Sequence, residues 1–452
     1  MKLSVAYDFK EAARMLGAIR TIGEGSVITS VETDSRLVRP GSLFVALAGS
    51  VCDGSRYLPQ AKAAGAAAAV VSQHHVDQTV VSVGLPLIIV DDSLKALWKF
   101  SHAHLSRFSG VTYAGVTGSC GKSTTKEALS AILSQQGRTV KTPGNLNSEI
   151  GMPLSVLSVG NGTKYGVFEM GVDHAGEMDH MFSVLKPDVG ILTNIGISHL
   201  EKFGTRSAIA HEKGRLFHRD IQAGFISRGC PFIRQIERES GIMLRSYDLS
   251  SLHAADRGLS GWDLVIGNHP CHVNAVGAHL LSDIAGAVET ARFLGVADDA
   301  IAAGLEGFTP MEGRSTVLSG GVTIIEDCYN ASLDSTRSIL ECVNALSWNG
   351  RKKAVLGPMK ELGSESRKAH EEIARKILHS DMHSVFLFGK ETEDAYLLLR
   401  RAGWKGELSF TEDFATLEDE VASSASHGDL FLVKGSRAAS MERLIPLLKA
   451  AG

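Results

Sequence analysis

The stretch Tyr113-Ala114-Gly115-Val116-Thr117-Gly118-Ser119-Cys120-Gly121-Lys122-Ser123-Thr124 decides the fold of this chain. The apolar run 113–117 reads as a buried strand. The residues after Gly121 open a helical pattern, and a glycine-rich turn joins the two. Glycines let such a turn fold tightly, so that backbone N–H groups and the positive end of the helix dipole face an anion. In that setting Lys122 can reach the β- and γ-phosphates of a nucleotide, and the Ser123 hydroxyl can ligate Mg²⁺. The candidate nucleotide-binding residues are therefore Thr117, Gly118, Ser119, Cys120, Gly121, Lys122, Ser123 and Thr124. The general phosphate-loop pattern places a further glycine five residues before Gly121, where this chain has Val116. The loop alone leaves kinase, GTPase and ligase open. A guanine-reading Asn-Lys-x-Asp motif does not occur in the sequence.

Working outward, short apolar runs alternate with helical patterns on both sides. Strands are predicted at 43–47, 68–71 and 87–90, with a helix at 57–64. An amphipathic helix follows at 93–108, then strands at 165–169 and 189–193. After Arg314 the rhythm restarts, with strands at 322–325, 353–356, 384–388 and 430–433. Such alternation implies parallel sheets flanked by helices. At 452 residues the chain is too long for one ordinary core. We expect three α/β domains: 1–91, a central P-loop domain over 92–314, and a Rossmann-like domain over 315–452.

Bulk composition narrows the class. The net charge of -4 gives no global attraction for nucleic acid or an anionic membrane, so any anion site must be local. Cys52, Cys120, Cys230, Cys271, Cys328 and Cys342 form no Cys-x-x-Cys pair, which argues against a zinc cluster. The first residues lack the apolar core of a signal peptide, and no run reaches membrane-spanning length. The expectation is a reduced, cytoplasmic protein with no membrane insertion.

A second set of residues stands at predicted strand ends. Glu169 closes 165–169, and His199 follows 189–193. Doubly wound sheets bring strand C-termini to one crevice, so both side chains would face the phosphate loop and could hold a divalent cation. Taken singly, Glu169 reads rather as a solvated strand-end carboxylate and His199 as a satisfied loop histidine; together, at strand ends behind a phosphate loop, they read as a site. Lys213, on a predicted helix, is by itself a surface lysine able to pair with Glu212 or Glu201. Asp34-Ser35-Arg36 reads either as an exposed polar turn or as a diphosphate site, with Arg36 pairing and Ser35 donating.

Together these motifs resemble the Mur ligase family. They are Gly118-x-x-Gly121-Lys122-Ser123-Thr124, Gly144-Asn145-x-Asn147, Glu169-x-Gly171, His199-x-Glu201 and Ala210-x-x-Lys213. Folylpolyglutamate synthetase shares this ATPase core. The resemblance extends to Asp34-Ser35-Arg36, Pro40 to Leu47 and Asp53-Gly54 in the first third. In the last third it covers Gly313-Arg314, Asp327-x-Tyr329-Asn330-Ala331, Leu356-Gly357-x-Met359-x-Glu361-Leu362-Gly363 and Lys434-Gly435-Ser436-Arg437. These last motifs resemble the branch that adds D-alanyl-D-alanine to UDP-N-acetylmuramoyl-tripeptide. The Asp-Asn-Pro-Arg of the diaminopimelate-adding branch is absent from the sequence.

The resemblance implies an ATP-dependent amide ligase, monomeric, using two Mg²⁺ ions. Lys122, His199 and Lys213 would be catalytic. Ser123, Glu169, His199 and a carbamylated Lys213 would serve the metal. Asn145, His279, Asp283, Arg314, Asp327 and Asn330 would join the phosphate loop around ATP. Ser35, Arg36, Asp53, Gly54, Lys434, Ser436 and Arg437 would bind the UDP-peptide and the dipeptide. A folylpolyglutamate synthetase-type ligase and a non-catalytic UDP-peptide binding module are the alternatives. The chain departs from the family pattern in several places. The family's His-Asn-x-x-Asn reads His279-Leu280-Leu281-Ser282-Asp283, its Asn-Pro reads Ser332-Leu333, its Gly-Asp-Met reads Gly357-Pro358-Met359, and a usual Glu is Arg215. None of these is expected to touch the phosphate loop or the metal ligands.

Overall fold

The structure is a computed structural model and describes residues 1–49 and 53–451. It contains three six-stranded sheets, one for each third of the chain. The first runs Lys2–Tyr7, Ile28–Glu32, Ser42–Val45, Ala68–Ser72, Leu87–Val90, Arg20–Ile22. Its four inner strands are parallel, and both edge strands are antiparallel. The second is wholly parallel, in the order Arg245–Tyr247, Ala223–Ser227, Val189–Leu192, Thr112–Thr117, Tyr165–Glu169, Thr139–Lys141. The third runs Thr316–Leu318, Thr323–Asp327, Leu430–Lys434, Lys352–Leu356, Ser384–Phe388, Glu407–Thr411, with only Thr316–Leu318 antiparallel.

The inner strands are continuous apolar runs because helices cover both faces of each sheet. Leu87–Val90 and Tyr165–Glu169 are buried throughout. Two charges that enter such a strand are paired. Lys352 and Lys353 begin the central strand of the third sheet and meet Asp381 at 2.6 Å and Asp429 at 2.7 Å. The predicted strands fall within a residue or two of the observed ones. The predicted helix at 57–64 is a short 3₁₀ turn, Gly54–Tyr57, followed by a helix from Leu58 to Ala63, with Pro at its first turn.

Several elements lack an apolar run and were not anticipated. Lys2–Tyr7 is an edge strand of mixed burial. A small antiparallel sheet, Ala254–Asp256, Trp262–Ile266 and His269–Val273, sits within the central third. The helix Ser93–Leu105 starts at Asp92, whose carboxylate accepts from the N–H groups of Leu94 and Lys95. Ala96, Leu97 and Phe100 pack it against the first sheet, while Trp98 and Leu105 join the core of the second. It therefore ties two sheets together. Trp98 Nε1 donates to the Glu149 carbonyl at 2.8 Å, and Ser101 Oγ to that of Pro153 at 2.9 Å. Among the described residues no helix is long and apolar enough to cross a membrane.

Strand order fixes the site. Thr112–Thr117 lies between Tyr165–Glu169 and Val189–Leu192, with Val116 opposite Glu169 and Thr117 opposite Leu192. The loops that leave these three strands share one edge of the sheet. In the third sheet Asp327 stands in register with Lys434, and Leu356 does so from the other side.

Candidate active site

The phosphate loop opens the helix Lys122–Ser134. Gly121 is left-handed, with φ 82°, and a Cβ there would overlap the Asp283 carboxylate. A Cβ at Gly118 would overlap the Thr193 hydroxyl. Only glycine fits either position. Asn194 Oδ1 accepts from the N–H groups of Ser119, at 3.1 Å, and Cys120, at 2.9 Å, which fixes the first half of the loop. Lys122 is deep in the cleft, and its Nζ donates back to the Gly118 carbonyl at 2.7 Å. Burial lowers its pKa, while the nearby Glu169 charge opposes that shift. Burial pushes the Cys120 thiol up to about 12, so it is an inert part of the loop.

Glu169 is 1% exposed, and each of its oxygens is engaged. Ser123 Oγ donates to Oε2 at 2.8 Å, and Asn147 Nδ2 to Oε1 at 2.7 Å. The Glu169 N–H donates to Thr142 Oγ1 at 2.8 Å. The result is a hydroxyl and a carboxylate side by side at the head of the loop.

His199 caps the short helix Leu200–Phe203 with a left-handed backbone, φ 60°. Burial lowers its pKa, the facing Glu361 carboxylate opposes this, and the positive charges of Lys213 and Lys122 add to it. Lys213 is 1% exposed, and Nζ donates to the Val172 carbonyl at 3.2 Å. Burial, reinforced by Lys122, brings its pKa down to about 7, against the attraction of Glu177, Glu212 and Asp173. It is therefore no surface lysine.

A cavity of about 550 Å³ opens above the loop, between the second and third sheets. Residues 119–124, Glu169, Asn194, Arg206, His279, Asp283 and Arg314 line it from one side, and Asp327, Asn330, Asp334 and Lys434 from the other. Arg314 stacks its guanidinium over Tyr329 at 4.2 Å. His279 is held neutral: burial takes its pKa down to about 4. Lys434 is buried and tied to Asp327 at 2.6 Å and to the Asn330 carbonyl at 3.0 Å.

The remaining candidates lie elsewhere. Thr117 is buried under the loop, donating to the Met170 carbonyl at 2.7 Å. Asn145 is exposed and is not part of the cavity wall. Ser436 Oγ accepts from the Lys360 N–H at 3.0 Å, while Arg437 is exposed and faces Glu442 at 3.3 Å. Ser35, Arg36, Asp53 and Gly54 gather on loops beyond Ile28–Glu32 and Ser42–Val45 of the first sheet. There Ser35 donates to Gln60 at 2.8 Å, Arg36 pairs with Asp34 at 2.6 Å, and Asp53 meets His75 at 2.7 Å.

One expectation is corrected. The departures from the family pattern were placed away from the phosphate loop, yet Asp283 lies directly on it. The helix Ala278–Phe293 packs along the loop helix and presents residue 283 to Gly121; the Asp283 carbonyl also accepts from Thr125 Oγ1 at 3.2 Å. Burial raises the Asp283 carboxyl to about 7 against the pull of Arg314 and Lys122.

The order of these parts along the chain matches known proteins. Residues 27–104 match the Mur ligase family catalytic domain, 116–291 the Mur ligase middle domain, and 313–437 the Mur ligase glutamate ligase domain. A UDP-N-acetylmuramoyl-tripeptide–D-alanyl-D-alanine ligase of Treponema pallidum (strain Nichols) is 33% identical over 440 residues, covering 93% of each chain. The chain belongs to the Mur ligase family. Among solved Mur ligases, MurF from Acinetobacter baumannii superposes with a TM-score of 0.87 at 25% identity over 100% of both chains. MurF from Thermotoga maritima, in complex with ADP, gives 0.77 at 28% identity over 93% of this chain and 97% of that one.

Four residues of this Mur ligase cleft were not singled out from sequence as site residues: Asn194, Arg206, Asp334 and Glu361. Asn194 carried a signal, since it follows the strand beside the loop. Arg206 donates to the Ile195 carbonyl at 2.8 Å, and Asp334 packs on Gly196 from the third domain. The Asp334 contact depends on domain packing and leaves no local pattern.

Proposed function

We propose that this chain is an ATP-dependent ligase that adds D-alanyl-D-alanine to UDP-N-acetylmuramoyl-tripeptide in peptidoglycan-precursor synthesis. The reading rests on one observation above all. The Ser123–Glu169 pair is intact at the head of the phosphate loop, in a chain that aligns nearly end to end with relatives named for that activity. The triphosphate would lie on the loop in the cavity between the second and third domains. The substrate's terminal carboxylate attacks the γ-phosphorus, ADP leaves, and an acyl phosphate forms. The dipeptide amine then attacks the acyl carbon, phosphate leaves, and the amide remains. Lys122 would turn from the Gly118 carbonyl to the transferring phosphoryl group, with Arg314 beside it. The third domain closes the cavity and keeps water from the acyl phosphate.

The donor set fits Mg²⁺. Ser123 and Glu169 offer hard oxygens, and His199 offers an imidazole whose Nδ1 is paired with the Glu361 carboxylate. Bound there, two Mg²⁺ ions would offset the charge that builds on the γ-phosphate. Lys213 would serve as a carbamate. A lysine with a pKa near 7 is largely neutral amine in the cell, and the neutral amine is the form that adds to CO₂. At the far end, Arg36 would exchange Asp34 for the UDP diphosphate, beside Ser35, Asp53 and Gly54. Arg437, exposed beyond Ser436 and the buried Lys434, suits the carboxylate of the dipeptide. His279, Asp283, Asp327 and Asn330 would line the rest of the ATP site, with Asn145 joining them once nucleotide binds. A cytoplasmic setting accords with the free cysteines Cys120, Cys230, Cys271, Cys328 and Cys342 among the described residues, and the chain would act as a monomer.

The test is phosphate release from ATP with UDP-N-acetylmuramoyl-tripeptide and a panel of acceptors. Release should depend on D-alanyl-D-alanine. Equal stimulation by glutamate with a folate substrate would move the chain to the folylpolyglutamate synthetase type. No release with any acceptor would leave a binding module.

A further inference from the structure

Lys126 lies one turn beyond Lys122 on the loop helix Lys122–Ser134, and its side chain is fully buried. Its Nζ donates to the Thr142 carbonyl at 2.8 Å, faces Glu127 Oε1 at 3.0 Å and stands 4.0 Å from Met311 Sδ. Glu127 is partly open to solvent and has a second cation in Lys141, so it does not depend on Lys126 for a partner. Taking an ammonium out of water is costly, and apolar side chains of similar volume often serve a fold as well as buried ions do. Stability alone does not account for a cation at this place.

The ammonium holds the root of an arch. Thr142 follows the edge strand Thr139–Lys141, and its N–H donates to the Val167 carbonyl at 3.1 Å. Its hydroxyl accepts from the Glu169 N–H at 2.8 Å. The chain then turns through Pro143 and the left-handed Gly144, with φ 51°. It returns at Asn147, whose Nδ2 donates to Glu169 Oε1 at 2.7 Å and whose carbonyl accepts from the Gly171 N–H at 2.8 Å. Both feet of the arch thus grip the strand end at 169–171, and Lys126 ties the first foot to the loop helix. The same helix reaches Glu169 directly, through Ser123 Oγ at 2.8 Å. The ammonium also abuts the turn that carries Arg314, whose N–H donates to the Met311 carbonyl at 3.1 Å. We propose that Lys126 is a positioning residue: through Thr142 it fixes where the Glu169 carboxylate stands beside Ser123, and so sets how tightly the phosphate site takes Mg²⁺. It touches neither nucleotide nor cation. This rests on reading Ser123 and Glu169 as the cation's oxygens.

The experiment compares the full chain as wild type, Lys126→Met, Thr142→Val, their double variant and Glu169→Asp. The first readout needs no ligand. Amide exchange over 142–147, followed by mass spectrometry in EDTA, should quicken at least about tenfold in Lys126→Met, while 117–124 exchange as in the wild type. The second is the Mg²⁺ concentration that half-saturates phosphate release. It should rise roughly tenfold or more in Lys126→Met and in Thr142→Val, with the KM for the UDP substrate unchanged. The double variant should rise no further than the worse single one, because both act through one hydrogen-bond chain. Thr142→Ser, which keeps the hydroxyl, should match the wild type. Thr142→Val reaches the Glu169 N–H without disturbing the buried lysine, so the route is tested even where Lys126→Met folds poorly. A lysine that only stabilises the fold would lower the Tm and leave the Mg²⁺ requirement unchanged, and that result overturns the inference. Additive rises in the double variant would do the same. A rise in Glu169→Asp alone sinks the inference and spares the reading of Glu169. If Glu169→Asp also keeps the wild-type Mg²⁺ requirement, that reading falls with it.

Discussion

Asp283 offers the most quantitative test of the cleft. Its carboxyl lies on Gly121 of the phosphate loop, and burial raises its pKa from 3.8 to about 7. A carboxyl with a raised folded pKa takes up a proton on folding. Its contribution to stability is fully present below the unfolded pKa, near 3.8, and is lost as pH rises to the folded value, near 7. Holding it in the folded site costs at most roughly 4 kcal/mol at pH 8, where it is charged in place, and about 1.5 at pH 5, where it instead takes up a proton on folding. Asp283→Asn replaces the charge by a neutral amide of the same shape. The variant should therefore gain on the wild type by roughly 2–3 kcal/mol between pH 5 and pH 8, less whatever the open side of the cavity screens. In melts followed through the central domain, this is a gap in Tm that widens by several degrees. The same charge opposes a triphosphate on the loop. The wild-type KM for ATP should rise above pH 7 by up to about tenfold per pH unit, and the variant's should stay flat. A Tm gap constant from pH 5 to pH 8, together with matching KM profiles, would refute the placement of a titrating carboxyl on the loop.

Other consequences follow from the same geometry. Lys122→Ala should fold as the wild type, with a melt within a degree or two, and lose ATP turnover by at least about a thousandfold, since it deletes the cation nearest the transferring phosphoryl group. Lys213→Ala should lose activity without unfolding and regain part of it with added short-chain carboxylates, whereas Lys213→Arg should stay inactive; retained activity in either would exclude the carbamate. Arg36→Ala should raise the KM for the UDP substrate and leave that for ATP unchanged, because Arg36 sits in the first domain, away from the cavity. Lys434→Met would leave the buried Asp327 without its partner and should destabilise the third domain by about 3–5 kcal/mol, read as an earlier transition in urea.

How much of this was legible in the sequence depended on how local each feature is. The strand 165–169 could be read to the residue because Tyr165–Glu169 is buried on both faces and its apolar run has no interruption. The small sheet around Trp262–Ile266 could not, because half of its residues face solvent and its strands alternate weakly. The phosphate loop was legible because a strand, a glycine turn and a helix start constrain one another within a dozen residues. Glu169 was legible by its place at a strand end. Asp334 was not, and Glu361 was legible only as a motif residue, because their partners Gly196 and His199 belong to another domain, and no spacing rule spans that distance. Asp283 lies between these cases. The sequence showed a carboxylate where the family has an amide, but its direction is set by how Ala278–Phe293 packs on Lys122–Ser134. That packing also explains Gly121 more fully than phosphate binding does. With φ 82° and the Asp283 carboxylate where a Cβ would go, position 121 tolerates only glycine on two independent grounds. Gly121→Ala in an Asp283→Gly background would remove the second and keep the first. If that pair folded and turned over ATP, the loop's glycine would owe its place to helix packing rather than to the backbone turn.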